Sequence, residues 1–197
     1  VWDSAASRSI FLALSFFRSQ ALSTPAHTQV TPTVGRLSSP KQEIDVLDIE
    51  IHQAKPEDWE RLGQIAVASK SYWGYSEHLL LQWAQTPIIT PDSIKKDTVY
   101  VACINSFLIG WYRLLIRLPV VILEDLWVLP DYIGKGVGRN LFEHAIQQAN
   151  LSGAERLELD ADPNAEPFYT RMGCQVIGES ISEWGRAVPH LAYHFQK

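Results

Sequence analysis

Along the chain the spacing of apolar residues switches between two and three to four, and the switches lay out an order of elements. "LDIEIHQA", residues 47–54, alternates as a strand, and "KPEDWERLGQIAVASKSYW" opens a helix with Pro56, Glu57 and Asp58 in its first turn. "SEHLLLQWAQ" continues as a second helix. "DTVYVACI", "FLIGWYRLLIR" and "VVILEDLWVL" read as three strands at hairpin spacing, with "NS" and the Pro119 break as their turns. A helical stripe follows, with Val137, Leu141, Phe142, Ala145, Ile146 and Ala149 on one face. "ERLELDA" is a strand, "NAEPFYTRMG" a short helix ending at Gly173, and "CQVIGESIS" and "AVPHLAYHF" are two closing strands. The predicted order is βααβββαβαββ, an α/β (α+β) fold with a mixed sheet of about seven strands and helices on both faces.

Residues 1–43 carry no such period. They are rich in Ser, Thr and Pro, and Arg8, Arg18, Arg36 and Lys41 outweigh Asp3 and Glu43, so this segment is +2 and the rest of a chain of net charge −5 is −7. The run "IFLALSFF" is too short to span a bilayer, and no membrane association is expected. We read 1–43 as a disordered lead, either transit-like or translated from upstream of the true start, and 44–197 as the domain. A cytoplasmic location follows, or an organelle matrix if the lead is a transit peptide.

Composition narrows the class. At 46% hydrophobic and 20% charged, the chain suits one ordinary domain, and its negative charge argues against a nucleic-acid partner. Cys103 and Cys174 lie in apolar strand-like runs and read as reduced core residues. The six histidines form no metal-binding pattern: His190 and His194 are four apart, but "PHLAYHF" alternates like a strand and lacks the flanking Glu of a zinc helix. No metal is expected.

The stretch "PDYIGKGVGRNLF" places Gly134, Gly136 and Gly138 at alternate positions just before the helical stripe. A glycine turn feeding a helix N-terminus gathers unpaired N–H groups at the positive end of the helix dipole, which suits phosphate. Lys135 and Arg139 add positive charge. Neither the dinucleotide fingerprint G-x-G-x-x-G nor the P-loop G-x-x-x-x-G-K-[ST] matches, and a plain glycine-rich connection remains the alternative.

Two blocks in order decide between these. "LEDLWVLPDYIGKGVGRNL" and "DPNAEPFYTRMGC" resemble the two cofactor-binding blocks of the GNAT superfamily of acyl-CoA-dependent N-acetyltransferases, and the likeness covers roughly residues 47–195. Gly136 and Gly138 match the first motif, Ile133 stands where Gln or Arg is usual, and Asn164 and Tyr169 match the second. The resemblance implies acetyl-CoA as cosubstrate. Its pyrophosphate would be held by main-chain N–H groups of Ile133, Gly134, Lys135, Gly136, Val137, Gly138 and Arg139, and its pantetheine arm and thioester carbonyl by main-chain groups of Leu126 and Val128.

Amide formation then needs a neutral amine and a proton for the departing thiolate. Alternation puts Glu124 on a face with Val120, Ile122, Leu126 and Val128, where apolar neighbours would raise its pKa and suit it as general base; the alternatives are a solvated strand-end carboxylate and the adjacent Asp125. "LED" before an aromatic strand is also similar to diamine N-acetyltransferases of the superfamily, which implies that this Glu acts through water. Tyr169 is the general acid, since a phenol stays protonated at neutral pH. For the acceptor, Tyr72, Trp73, Tyr75 and Trp184 would wall a cleft, Glu77 or Glu183 would attract a cation, and Arg186 would meet a carboxylate. The expected activity is acetyl transfer to a small-molecule primary amine in a ternary complex, with a homodimer left open. The alternatives are protein or peptide N-acetylation and a non-catalytic acyl-CoA-binding sensor or structural subunit.

Overall fold

The computed structural model describes residues 47–182 and 185–196; the expected lead, 1–43, lies outside them. In chain order the elements are β1 (Glu50–Gln53), a 3₁₀ turn (Pro56–Asp58), α1 (Trp59–Tyr72), α2 (Glu77–Trp83), α3 (Pro91–Lys96), β2 (Thr98–Ile104), β3 (Phe107–Arg117), β4 (Val120–Val128), a 3₁₀ turn (Pro130–Tyr132), α4 (Val137–Leu151), β5 (Arg156–Asp160), α5 (Glu166–Arg171), β6 (Gln175–Ile181) and β7 (Ala187–His194). The mixed sheet is as expected; α3 is an addition. Its signal is local: Thr90 Oγ1 accepts from Ser93 N at 3.1 Å, Ser93 Oγ accepts from Thr90 N at 2.8 Å, and Pro91 opens the helix.

The sheet order is β1-β2-β3-β4-β5-β7-β6, and the β4–β5 pair alone is parallel among the described strands. Asn105 and Ser106, at φ 50° and 65°, turn β2 into β3 in the left-handed conformation that two-residue hairpins favour. Neighbouring side chains of β3 fix the layers. Trp111 Nε1 donates to Leu62 O of α1 at 2.9 Å, whereas the Tyr112 hydroxyl meets His144 Nδ1 of α4 at 2.7 Å. Successive strand residues point to opposite faces, so α1 and α4 lie on opposite sides of the sheet.

Each helix is held by an apolar stripe. Leu62, Ile65 and Ala66 of α1, and Val137, Leu141, Phe142, Ala145 and Ala149 of α4, are fully buried, while Ile146 sits at the stripe's margin. Each large side chain contributes about 1.5–3 kcal/mol by leaving water. Covered on both faces, β3 buries Ile109, Gly110, Trp111 and Tyr112 in succession.

Gly110 leaves room for Leu141 of α4 and for the neighbouring strand β4. A Cβ there would stand 2.8 Å from Trp127 O and 3.0 Å from Leu141 Cδ1. The carbonyl belongs to the ladder and has little room to move. Gly110→Ala is therefore expected to lower stability by about 1–3 kcal/mol, the usual cost of overpacking; an unchanged denaturant midpoint would show that β4 and Leu141 yield without cost.

Candidate active site

The cleft originates in a fault of the sheet. β4 pairs with β5 only over Val120–Ile122 against Arg156–Glu158, and beyond that point no described strand covers this edge of β4. On its other side β4 carries a bulge: Leu123 pairs with Leu114 and Asp125 with Arg113, leaving Glu124 as the extra residue. A cleft of about 1230 Å³ opens between the parted strands, reaching the glycine loop, the end of β5, α5, and the α1–α2 region.

The bulge reverses the alternation expected from sequence. Asp125 and Trp127 lie opposite Arg113 and Trp111 on the α1 face, whereas Val128 faces α4, its Cγ2 3.8 Å from the Cβ position of Gly138. Leu126 alternates with Trp127 and shares the α4 face. Glu124 thus does not share a face with Leu126 and Val128, nor is it wrapped in apolar side chains: its side chain is 44% exposed and lies 3.9 Å from Arg113 Nη2. Asp125 is the buried carboxylate, at 6% exposure. It accepts from Arg113 Nε and Nη2, both at 2.7 Å, and from Trp127 Nε1 at 2.8 Å. Burial raises its pKa against the opposing pull of Arg113 and these hydrogen bonds.

The glycine loop is an open cradle. Gly134 and Gly136 have φ of +79° and +89°, and a Cβ on either would meet nothing within 4 Å. Gly136 caps α4, whose first main-chain bond is Asn140 N to Gly136 O at 3.0 Å. The N–H groups of Gly134, Gly136, Val137, Gly138 and Arg139 consequently find no main-chain acceptor among the described residues. Such a cradle fits a diphosphate. The Val137 side chain is core, and Ile133 lines the cleft. Lys135 Nζ lies 5.7 Å from the Tyr132 ring centre, while Arg139 Nε approaches Glu143 at 3.6 Å.

Tyr169, on α5, lines the cleft between the Phe142 and Phe168 rings, at centroid distances of 5.3 and 4.9 Å. Burial pushes its phenol well above the ordinary tyrosine range, helped by Cys174 and Asp125. Its proton is firmly held at neutral pH. Asn164 also lines the cleft, its N and Nδ2 both donating to Asp162 Oδ1 at 3.0 Å.

On the α1 face, Trp73, Tyr75 and Arg186 line the cleft, whereas Tyr72 does not; it is 54% exposed and packs edge-on against Trp73. Trp184 and Glu183 lie outside the described residues. Sequence reasoning missed the aromatic set that matters here: Lys70 Nζ sits 5.3, 5.0 and 5.6 Å from the ring centres of Tyr75, Trp83 and Trp127. The missed signal is a lysine in the last turn of α1, followed by aromatics from three separate segments. Tyr75 OH donates to Asp162 Oδ2, and Arg186 Nη1 donates to Tyr75 OH at 3.4 Å, joining three loops over this side.

The chain is similar to known proteins. The model of the acetyltransferase (GNAT) family matches residues 52–174. Over 145 residues, 71% of this chain and 96% of the relative, the chain is 27% identical to the 5-NmdU N-acetyltransferase of Pseudomonas phage PaMx11. It is 29% identical over 140 residues to the uncharacterized N-acetyltransferase YafP of Escherichia coli K12, covering 69% of this chain and 87% of that one. The structure of the PaiA N-acetyltransferase from Thermoplasma acidophilum, in complex with coenzyme A, superposes with a TM-score of 0.66 over 75% of this chain and 99% of that one. At 21% identity this last likeness bears on the fold alone.

The two cradle glycines separate two causes. At Gly138 a Cβ meets only ordinary 3.8 Å contacts with Phe168 and Val128 and the backbone is not left-handed, so Gly138→Val should weaken coenzyme A binding through its branched side chain with little backbone strain. Gly136→Val should weaken binding and lower stability together, because its φ of +89° strains a branched residue. Calorimetry showing full affinity in both variants would mean that the cradle does not carry the phosphate.

Asp125→Asn tests the buried pair. We expect a loss of about 3 kcal/mol, the low end for breaking a buried pair, because Asp97 and Glu124 remain 3.6 and 3.9 Å from Arg113. A raised carboxyl pKa means that the native state binds the proton more tightly than the unfolded chain. Stability from this group is then largest below the ordinary Asp range and falls as pH rises through the raised value. The gap between wild type and variant should narrow over that window; a gap that widens with pH would reverse the assignment.

Proposed function

We propose that this chain, which belongs to the acetyltransferase (GNAT) family and is an N-acetyltransferase, moves an acetyl group from acetyl-CoA to the primary amine of a small molecule, directly within a ternary complex. The observation that carries the reading is the parting of β4 from β5, which opens one cleft onto the N–H cradle, the β4 carboxylates and the Tyr169 phenol. Acetyl-CoA supplies an electrophilic thioester carbon and a thiolate leaving group.

The protein's own groups divide the remaining work. Main-chain N–H groups at the start of α4 bind the diphosphate, each charge-assisted bond contributing roughly 1.5–3 kcal/mol. Uncovered main-chain groups of Leu126 and Val128 orient the pantetheine arm and polarise the thioester carbonyl. Glu124, half-exposed at the bulge, accepts the amine proton through water, and Tyr169 returns a proton to sulfur. Asp125, tied to Arg113 and Trp127, is better suited to hold the bulge than to exchange protons.

A small acceptor is supported by the α1 side, where the Tyr75–Asp162 and Arg186–Tyr75 bonds tie three loops together beside the cleft. Direct transfer is supported by the cysteines. Burial pushes the Cys174 thiol up to about 11, and Cys103, buried on β2 beside Glu50, is raised likewise, so neither offers a useful thiolate.

Thiol release from acetyl-CoA with a panel of primary amines tests the activity. Turnover with small amines is expected; acetylation confined to peptides, or coenzyme A binding without turnover, would overturn the reading. Glu124→Gln should then lower turnover at neutral pH and recover as pH approaches the amine's own pKa. Tyr169→Phe should lose about 10²–10⁴-fold without alkaline recovery. Equal, pH-independent losses in both variants would remove the base–acid division.

A further inference from the structure

On the α1 face, β5 and β7 carry a second ionisable cluster that neither the glycine cradle nor the bulge uses. Ile122 pairs with Glu158, and its partner on β3, Leu115, lies two residues from Arg113, so Ile122, Glu158 and Asp160 all face α1. Leu157 and Leu159 point the other way into the core. Asp160 pairs with His190 of β7, whose Nδ1 lies 2.7 Å from Asp160 Oδ1 and whose Nε2 lies 3.4 Å from Glu158 Oε2. Arg156 Nε in turn holds Glu158 Oε1 at 2.6 Å. Both Asp160 and His190 line the cleft, on the far side of the parting from Glu124.

We propose that His190, oriented by Asp160 and Glu158, carries the proton that acetyl transfer releases from the acceptor nitrogen to solvent. The inference rests on the amine-acetylation reading above, and its chemistry is set by stoichiometry. The acceptor arrives as R–NH₃⁺. The C–N bond forms and the C–S bond breaks, with sulfur taking that bond's electron pair. The nitrogen gives up two protons on becoming an amide; sulfur accepts one, so one leaves per turnover.

Glu124 on β4 and His190 on β7 flank the place where β4 and β5 separate, which gives the nitrogen two proton acceptors from opposite walls. His190 is suited to the outward step because each ring nitrogen faces a carboxylate and Asp160 is half exposed to solvent. The proton enters through water at Nε2, whose 3.4 Å contact with Glu158 is the looser of the two, and leaves from Nδ1 toward the half-exposed Asp160. The charged groups nearest the ring are Glu158, Asp160 and Arg156 on β5; the same cleft is lined by the acids Glu124, Asp125 and Asp162 and by the bases Lys70, Arg113, Arg117, Arg139, Arg171 and Arg186, and the β6 residue opposite His190 is Gly178, which adds no charge. No group of three or more His, Cys, Asp or Glu among the described residues could hold a metal ion, so the cluster reads as a hydrogen-bonded one. Asp160 and Glu158 are positioning residues: they act through the ring.

His190→Gln, His190→Ala and Asp160→Asn, each in the full chain, test this against acetyl-CoA with the amine the wild type uses best, and against acetyl-CoA hydrolysis, where water is the acceptor and also loses a proton. His190→Gln should cut turnover at neutral pH at least tenfold and recover toward alkaline pH, with coenzyme A affinity and melting temperature unchanged. Added imidazole should restore part of the activity of His190→Ala. Asp160→Asn should cost less and alter the pH profile. A His190→Gln enzyme with wild-type rate and profile would overturn the proposal; so would equal losses in the Gln and Ala variants, unmoved by imidazole and matched by lower melting temperatures, which would make the cluster a tie between β5 and β7. If the wild type acetylates no small amine, the substrate reading fails by itself, and the hydrolysis measurements still decide the role of His190.

Discussion

The buried Arg113–Asp125 pair holds the one irregularity on which the cleft depends. Asp125 is opposite Arg113 only because Glu124 is inserted without a partner on β3, and the two 2.7 Å contacts, with Trp127 as a third donor, fix that register. A charge pair removed from water gains little net stability against an apolar substitute, but half of it left alone is costly. The pair therefore acts as a register pin. The β4–β5 pairing ends just before it, at Ile122, and the sheet opens there.

From that opening the two faces take separate tasks. The α4 face receives Leu126 and Val128 and meets the start of α4, where left-handed glycines leave N–H groups pointing into open space. The α1 face collects ionisable and aromatic groups: the half-exposed Glu124, the Asp160–His190 pair, and Lys70 among the rings of Tyr75, Trp83 and Trp127. The open main-chain N–H groups and the ionisable side chains of β4, β5 and β7 thus approach one gap from opposite sides, with Tyr169 packed against Phe142 on the α4 side.

Lys70 also alters how the aromatic wall is understood. Aromatic side chains in an amine-handling site suggest a box for the substrate's cation, yet the centre of this box holds an ammonium of the chain itself. Trp127 serves two partners, its ring facing Lys70 and its N–H donating to Asp125. The acceptor wall and the register pin are therefore mechanically joined, and a change at Trp127 would act on both.

Most of the fold was legible in the sequence because period and punctuation are local. The stripe from Val137 to Ala149, the hairpin at Asn105–Ser106 and the glycines before α4 each declare themselves within about a dozen residues, and two motif blocks in order sufficed to suggest the family. Even α3 was announced by its Thr90–Ser93 box, a signal present but not taken up. What alternation could not foresee was the phase reversal at Glu124, since a bulge exists only relative to a partner strand. For the same reason the environments of Glu124 and Asp125 were interchanged: which of two adjacent carboxylates is buried depends on where Arg113 lies across the ladder. His190 looked like an ordinary strand histidine for want of Asp160, thirty residues away in sequence and 2.7 Å away in space. Sequence by itself determined the elements, the glycine turn and the candidates Glu124 and Tyr169, whose signals lie in consecutive residues; tertiary structure alone decided the surroundings of Glu124, Asp125 and His190, because each is defined by a neighbour that another strand delivers.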